Sequence, residues 1–87
     1  MKATVTPTDA TQAVTSQVTL IRRLPAPAMR RALRESAGLS TGDVARALGV
    51  TRQAVSNWER GKRTPRGAYL DSYVQVLERI AHLNAVA

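Results

Sequence analysis

The sequence predicts an all-α fold, a compact domain of four to five helices. Three observations carry that expectation. Apolar residues recur at spacings of three and four along much of the chain, the period of a helix with one buried side. Pro25, Pro27, Gly38, Gly49, Gly61, Pro65 and Gly67 fall between these stretches and punctuate them. Ser40 and Thr51 stand where a helix needs a side-chain oxygen at its start. The length of 87 residues allows one small domain.

The elements follow in order. Residues 1–25 hold six of the nine threonines, and Ala10, Val14, Val18, Ile21 and Leu24 keep helical spacing. That spacing favours a helix over about 9–24. The many β-branched residues oppose it, so a short strand or an arm at 15–21 is the alternative. Pro25-Ala26-Pro27 breaks the chain. The expected organisation is therefore an N-terminal arm or extra helix with a proline linker over 1–26, then a domain over 27–87. Pro27 suits the first position of the next helix. Met29, Leu33 and Ala37 share one face of it, Arg30, Arg31 and Arg34 fall elsewhere, and Gly38 ends it. Ser40-Thr41-Gly42-Asp43 opens another helix as a capping box, with Val44, Ala45 and Leu48 as its stripe and Gly49 as its end. Thr51 caps a third over 52–60, stopped by Gly61. After the basic loop 62–67, a helix over about 67–83 presents Leu70, Tyr73, Val74, Leu77, Ile80 and Ala81 on one side, with Asn84 as its end.

Composition removes whole classes of function. There is no cysteine, so no disulfide framework and no thiolate nucleophile. One histidine cannot build a structural zinc site. No catalytic residue, metal or cofactor is expected. No run of 18 apolar residues crosses a membrane. The N-terminus lacks the basic-then-apolar layout of a signal peptide, which points to the cytoplasm. The charge is uneven. Residues 1–21 are neutral overall, residues 22–66 carry 11 Lys/Arg against 3 Asp/Glu, and residues 67–87 are net −1, giving +7 for the chain. Such a block suits a polyanion, meaning nucleic acid or an anionic membrane surface, or else serves as solvated charge.

The informative stretch is 41–60, two short helices joined by Leu48-Gly49-Val50-Thr51. That is the helix-turn-helix layout, whose second helix enters the DNA major groove. Ala45 must be small where the helices cross, and Gly49 must accept a positive φ. Val44, Leu48, Val50, Val55 and Trp58 fill the wedge between them. Stepping about 100° per residue from Arg52, Ser56 lies near 40°, Gln53 near 100° and Asn57 near 140°. Ala54, Trp58 and Val55 fall between about 200° and 300°, so polar and apolar residues separate. Arginine can pair with guanine O6 and N7, and glutamine or asparagine with adenine N6 and N7.

Residues 30–66 resemble the Cro/cI-type helix-turn-helix domains of phage repressors and small bacterial regulators, the xenobiotic-response-element family. The carrying residues are Leu33-Arg34, Gly38-Leu39-Ser40, Val44-Ala45, Leu48-Gly49-Val50, the run Ser56-Asn57-Trp58-Glu59-Arg60-Gly61-Lys62-Arg63, and Pro65. The resemblance implies a lambda-repressor-like fold with Arg52, Gln53, Ser56 and Asn57 facing bases. It implies phosphate contacts from Thr41, Thr51, Lys62 and Arg63, to which Arg60 and Arg66 are added. It also implies a pair between Glu59 and Arg34 that locks the recognition helix. The family has two short helices after the proline; here nothing interrupts residues 68–83, so one longer helix is expected. Trp58 and Val55 are read as core, and Tyr69 and Tyr73 as packing residues, with a phosphate contact from Tyr69 as an alternative. Arg30, Arg31, Arg46 and Arg79 are read as solvated charge, and His82 as a surface residue.

The expected function is a sequence-specific DNA-binding regulator, a repressor of bacterial or phage origin, acting as a homodimer on an inverted repeat of double-stranded DNA. It would work in the cytoplasm, on the nucleoid. The alternative is an antitoxin-type protein that binds a toxin partner and autoregulates its promoter, through residues 1–25 or the last helix. An architectural DNA-binding protein with little base preference is a third.

Overall fold

A computed structural model describes residues 7–86, with side chains from residue 9 onward. Five helices follow one another: α1 (Pro7–Arg23), α2 (Pro27–Ser36), α3 (Thr41–Leu48), α4 (Arg52–Glu59) and α5 (Gly67–Val86). Among the described residues there is no strand. The first helix begins two residues before the expected start, and residues 1–6 of the expected arm lie outside the described residues.

The long α5 is the post on which the rest is assembled. It packs against α1, α2 and α3, while α3 packs on α4 and α2 on α4. Its stripe does this work: Leu70, Tyr73, Val74, Leu77 and Ile80 are all buried. Val44, Ala45, Val55, Trp58, Tyr73 and Leu77 form the central cluster, with Leu24, Leu33, Leu39, Leu48, Val50 and Ala54 against it. The rings of Trp58 and Tyr73 tilt together with centroids 4.9 Å apart.

Local signals set the helix boundaries. Pro27 needs no amide partner in the first turn of α2. At α3, Ser40 Oγ accepts from the Asp43 amide at 2.9 Å, and Asp43 Oδ2 accepts from the Ser40 amide at 2.8 Å. These bonds hold the Asp43 carboxyl below its ordinary value. Thr51 Oγ1 accepts from the Ala54 amide at 3.1 Å and starts α4. Gly49, at φ 73°, turns the chain between α3 and α4 in a region that a side chain would strain.

Four details depart from the expected pattern. Met29 is 52% exposed and Ala37 is exposed, whereas Arg30 is 8% exposed. The buried side of α2 is thus Arg30, Leu33 and Arg34, because α2 packs on the polar end of α4 as well as on α5. Arg30 is therefore no solvated charge. Tyr69 is half exposed rather than packed, one position before the buried Leu70. Ala81 is exposed, and α5 runs past Asn84 to Val86. Asn84 spends its amide on Ser36 Oγ at 3.0 Å, away from its own helix end.

Tyr73 is buried at 1% exposure, and its hydroxyl has no hydrogen-bond partner. Burial pushes the phenol up to about 12 from an ordinary 10.0. The group therefore contributes fully below pH 10. The unfolded chain ionises first above that, so stability falls between pH 10 and about 12. Tyr73→Phe removes an unsatisfied hydroxyl and this loss together. It is expected to leave neutral-pH stability unchanged or raised by up to about 1 kcal/mol. Thermal unfolding at pH 7 and pH 11 measures both.

Candidate nucleic-acid interface

The site is built on α4. Val55 and Trp58 turn into the core at 0% and 6% exposure, and Ala54 is half-buried. The opposite side is left to Arg52 and Gln53, both exposed, and to Ser56 and Asn57, both half-buried. The four residues expected to face bases are thus together on one outward face. They are linked along it. Gln53 Nε2 donates to Asn57 Oδ1 at 3.1 Å, and Arg60 Nη2 donates to Ser56 Oγ at 2.8 Å. Both bonds lie at the surface and can be exchanged for bonds to a ligand. The stem of Arg52 runs over Gly42 of α3; a methyl group there would stand 3.1 Å from Arg52 Cδ.

The backbone after α4 fixes where the basic loop begins. Gly61 is left-handed at φ 73°. Its amide bonds the Trp58 carbonyl at 3.2 Å, and the Lys62 amide reaches back to the Asn57 carbonyl at 2.9 Å. Lys62 therefore starts directly beside the polar face. Lys62, Arg63, Thr64 and Arg66 line an open depression with Gly61, while Pro65 anchors the loop in the core. A second depression brings together Arg31, Thr41, Ser56 and Arg60 over the Arg34–Glu59 pair. Thr41 and Arg60, both expected at phosphates, share it. Arg31, expected only as solvated charge, stands beside them. Thr51 is exposed at the head of α4.

Two arginines of α2 hold the far end of α4. Arg34 forms a two-pronged bond with Glu59, Nε to Oε2 at 2.6 Å and Nη2 to Oε1 at 2.9 Å. Its Nη1 donates to the Leu39 carbonyl at 2.9 Å. The side chains are only 12% and 6% exposed, so this is not an ordinary surface ion pair. The bond to Glu59 holds the Arg34 guanidinium above its ordinary value. Arg30 donates from Nη1 to the Trp58 carbonyl at 2.8 Å and from Nε to the Pro25 carbonyl at 2.7 Å. A cation at the carbonyl end of a helix also meets the negative end of its dipole. Burial lowers the Arg30 guanidinium from its ordinary value, yet arginine stays charged at neutral pH. Arg30 was missed by sequence reasoning, because its partners are backbone carbonyls that no residue type announces.

No helix among the described residues is long and apolar enough to cross a membrane. Comparison with curated proteins and with solved structures found no match. The helix-turn-helix family model matches residues 31–80, more than half of the chain. That span takes in α3, the turn, α4 and the buried part of α5. The expected all-α, lambda-repressor-like domain is what the chain forms, and it belongs to the Cro/cI-type helix-turn-helix family, a DNA-binding regulatory family and not an enzyme family.

Proposed function

We propose that the protein is a sequence-specific transcriptional repressor that places α4 in the major groove and acts as a homodimer on an inverted repeat. One observation carries the reading. The polar face of α4 has no role in the core, and it runs without a break into a basic loop that the Asn57 carbonyl anchors beside it. Arg52, Gln53, Ser56 and Asn57 supply donors and acceptors for base edges. Lys62, Arg63 and Arg66, with Thr41, Thr51 and Arg60, supply phosphate contacts that set register and affinity. A single such module reads too few base pairs to be selective, and two copies on half-sites a helical turn apart solve this. Its place of action would be the cytoplasm, on the nucleoid.

Selection of binding sites from random duplex DNA tests the reading. A two-fold symmetric motif is expected; enrichment of no motif would overturn it. Lys62→Ala separates affinity from choice. It is expected to weaken selected and random DNA alike and to reduce the log–log salt slope by about 1. Titration at several salt concentrations measures it.

A further inference from the structure

The structure assigns a docking surface for a second copy of this chain to the outer stripe of α1, with the two helices antiparallel. The inference rests on the dimeric reading above and names the seam. Val14, Val18 and Ile21 are 63%, 39% and 45% exposed, and Ala10 and Thr11 are exposed with them. Thr11, Val14, Val18 and Ile21 alternate spacings of three and four, which draws one stripe along a helix. The side turned to the body is a different one, marked by half-buried Leu20 and Leu24 and by the Arg23–Glu78 ion pair to α5 at 2.6 Å. Every residue from 9 to 16 is exposed, so this half of α1 has no cover within the chain. A helix of 17 residues rich in threonine and valine draws little stability from propensity and most from packing.

The polar groups beside the stripe are prepared for burial. Thr15 Oγ1 donates to the Thr11 carbonyl and Thr19 Oγ1 to the Thr15 carbonyl, both at 2.8 Å. Their hydroxyls can leave water without losing a partner, and their methyl groups join the apolar contact.

Charge selects the occupant. Each copy carries +7, and residues 22–66 account for +8 of it. Two copies therefore repel over most of their surface. Residues 10–21 contain no charged side chain at all. The flanks of this neutral stretch are self-complementary: Asp9 precedes it and Arg22 and Arg23 follow it. Placing Val14 against the second copy's Val18 sets Thr11 against the second copy's Ile21. The same register brings Asp9 to the second copy's Arg23, at both ends of the seam. A parallel pairing would set Asp9 on Asp9 and the arginines on each other. Two helices of this length cover much less than the about 800 Å² per partner of a standard stable interface. Association is therefore concentration-dependent and is completed on paired half-sites.

The test uses the full chain and Val14→Glu/Val18→Glu, whose positions are outside the core. Sedimentation over a rising concentration series should show wild type passing from monomer to dimer. The variant should need at least about tenfold higher concentration. Its unfolding midpoint and its binding to a single half-site should match wild type, and only its binding to the paired site should weaken. Because the chain lacks cysteine, Val14→Cys mixed with Val18→Cys should give mostly the mixed disulfide. Wild type that stays monomeric, even on the paired site, overturns the seam and the dimer together. A variant that dimerises as wild type does overturns the seam alone. Predominance of the two like-with-like disulfides overturns the antiparallel register. Half-site binding by wild type reports separately on DNA recognition.

Discussion

Replacing Glu59 with alanine is expected to cost about 3–5 kcal/mol of folding free energy, the cost of leaving one partner of a dehydrated ion pair alone. Arg34 would keep its charge in a site where its side chain is 12% exposed, with only the Leu39 carbonyl still bonded. A domain of this length has a total stability of only about 4–13 kcal/mol. The variant should therefore unfold at much lower urea and bind DNA weakly, although Glu59 is not itself among the residues proposed to face bases. The double variant Arg34→Met/Glu59→Leu removes both charges and should recover most of the loss. Urea denaturation of the three proteins decides the matter. A loss below about 1 kcal/mol for Glu59→Ala would put the pair in the class of exposed ion pairs.

Arg30→Ala is expected to cost about 2–4 kcal/mol, from two carbonyl bonds to a charged donor and a buried stem. It would release the Pro25 carbonyl and take from the Trp58 carbonyl its arginine, leaving the latter only the Gly61 amide. The same guanidinium joins the linker after α1 to the end of α4, so its loss should reach the recognition helix. Arg30→Lys keeps the charge but cannot fork between two carbonyls, and should recover only part of the stability. Chemical denaturation gives the energies. Hydrogen exchange at the Lys62 amide, which closes α4 onto Asn57, shows whether the helix end loosens. An unchanged denaturation midpoint in Arg30→Ala would refute the clamp.

Much of this fold was legible because its signals are local. Ser40 and Asp43 cap each other three residues apart, Gly49 sits at the turn, and Thr51 caps the helix it precedes. The separation of Val55 and Trp58 from Arg52, Gln53, Ser56 and Asn57 needs only the helical period. The α5 stripe from Leu70 to Ile80 is likewise periodic, and it packs where the period places it. The Arg34–Glu59 bond spans 25 residues and was available only through the family resemblance. What stayed hidden depends on which surface comes to meet a helix. Periodicity put Met29 and Ala37 inward on α2 because they are apolar. The carbonyl end of α4 arrived instead, and an arginine fork answers carbonyls better than a methionine does. Asn84 has the composition of a helix end, but a distant serine hydroxyl takes its amide and the helix continues.

The claim that the α4 face reads bases is tested most directly by a ratio. Binding of Arg52→Ala and Gln53→Ala is to be measured on the selected site and on random duplex at one salt concentration. Each substitution is expected to weaken the selected site by about 1–3 kcal/mol while random DNA changes little, so that selectivity falls. Equal weakening on both DNAs, or none on either, would contradict it.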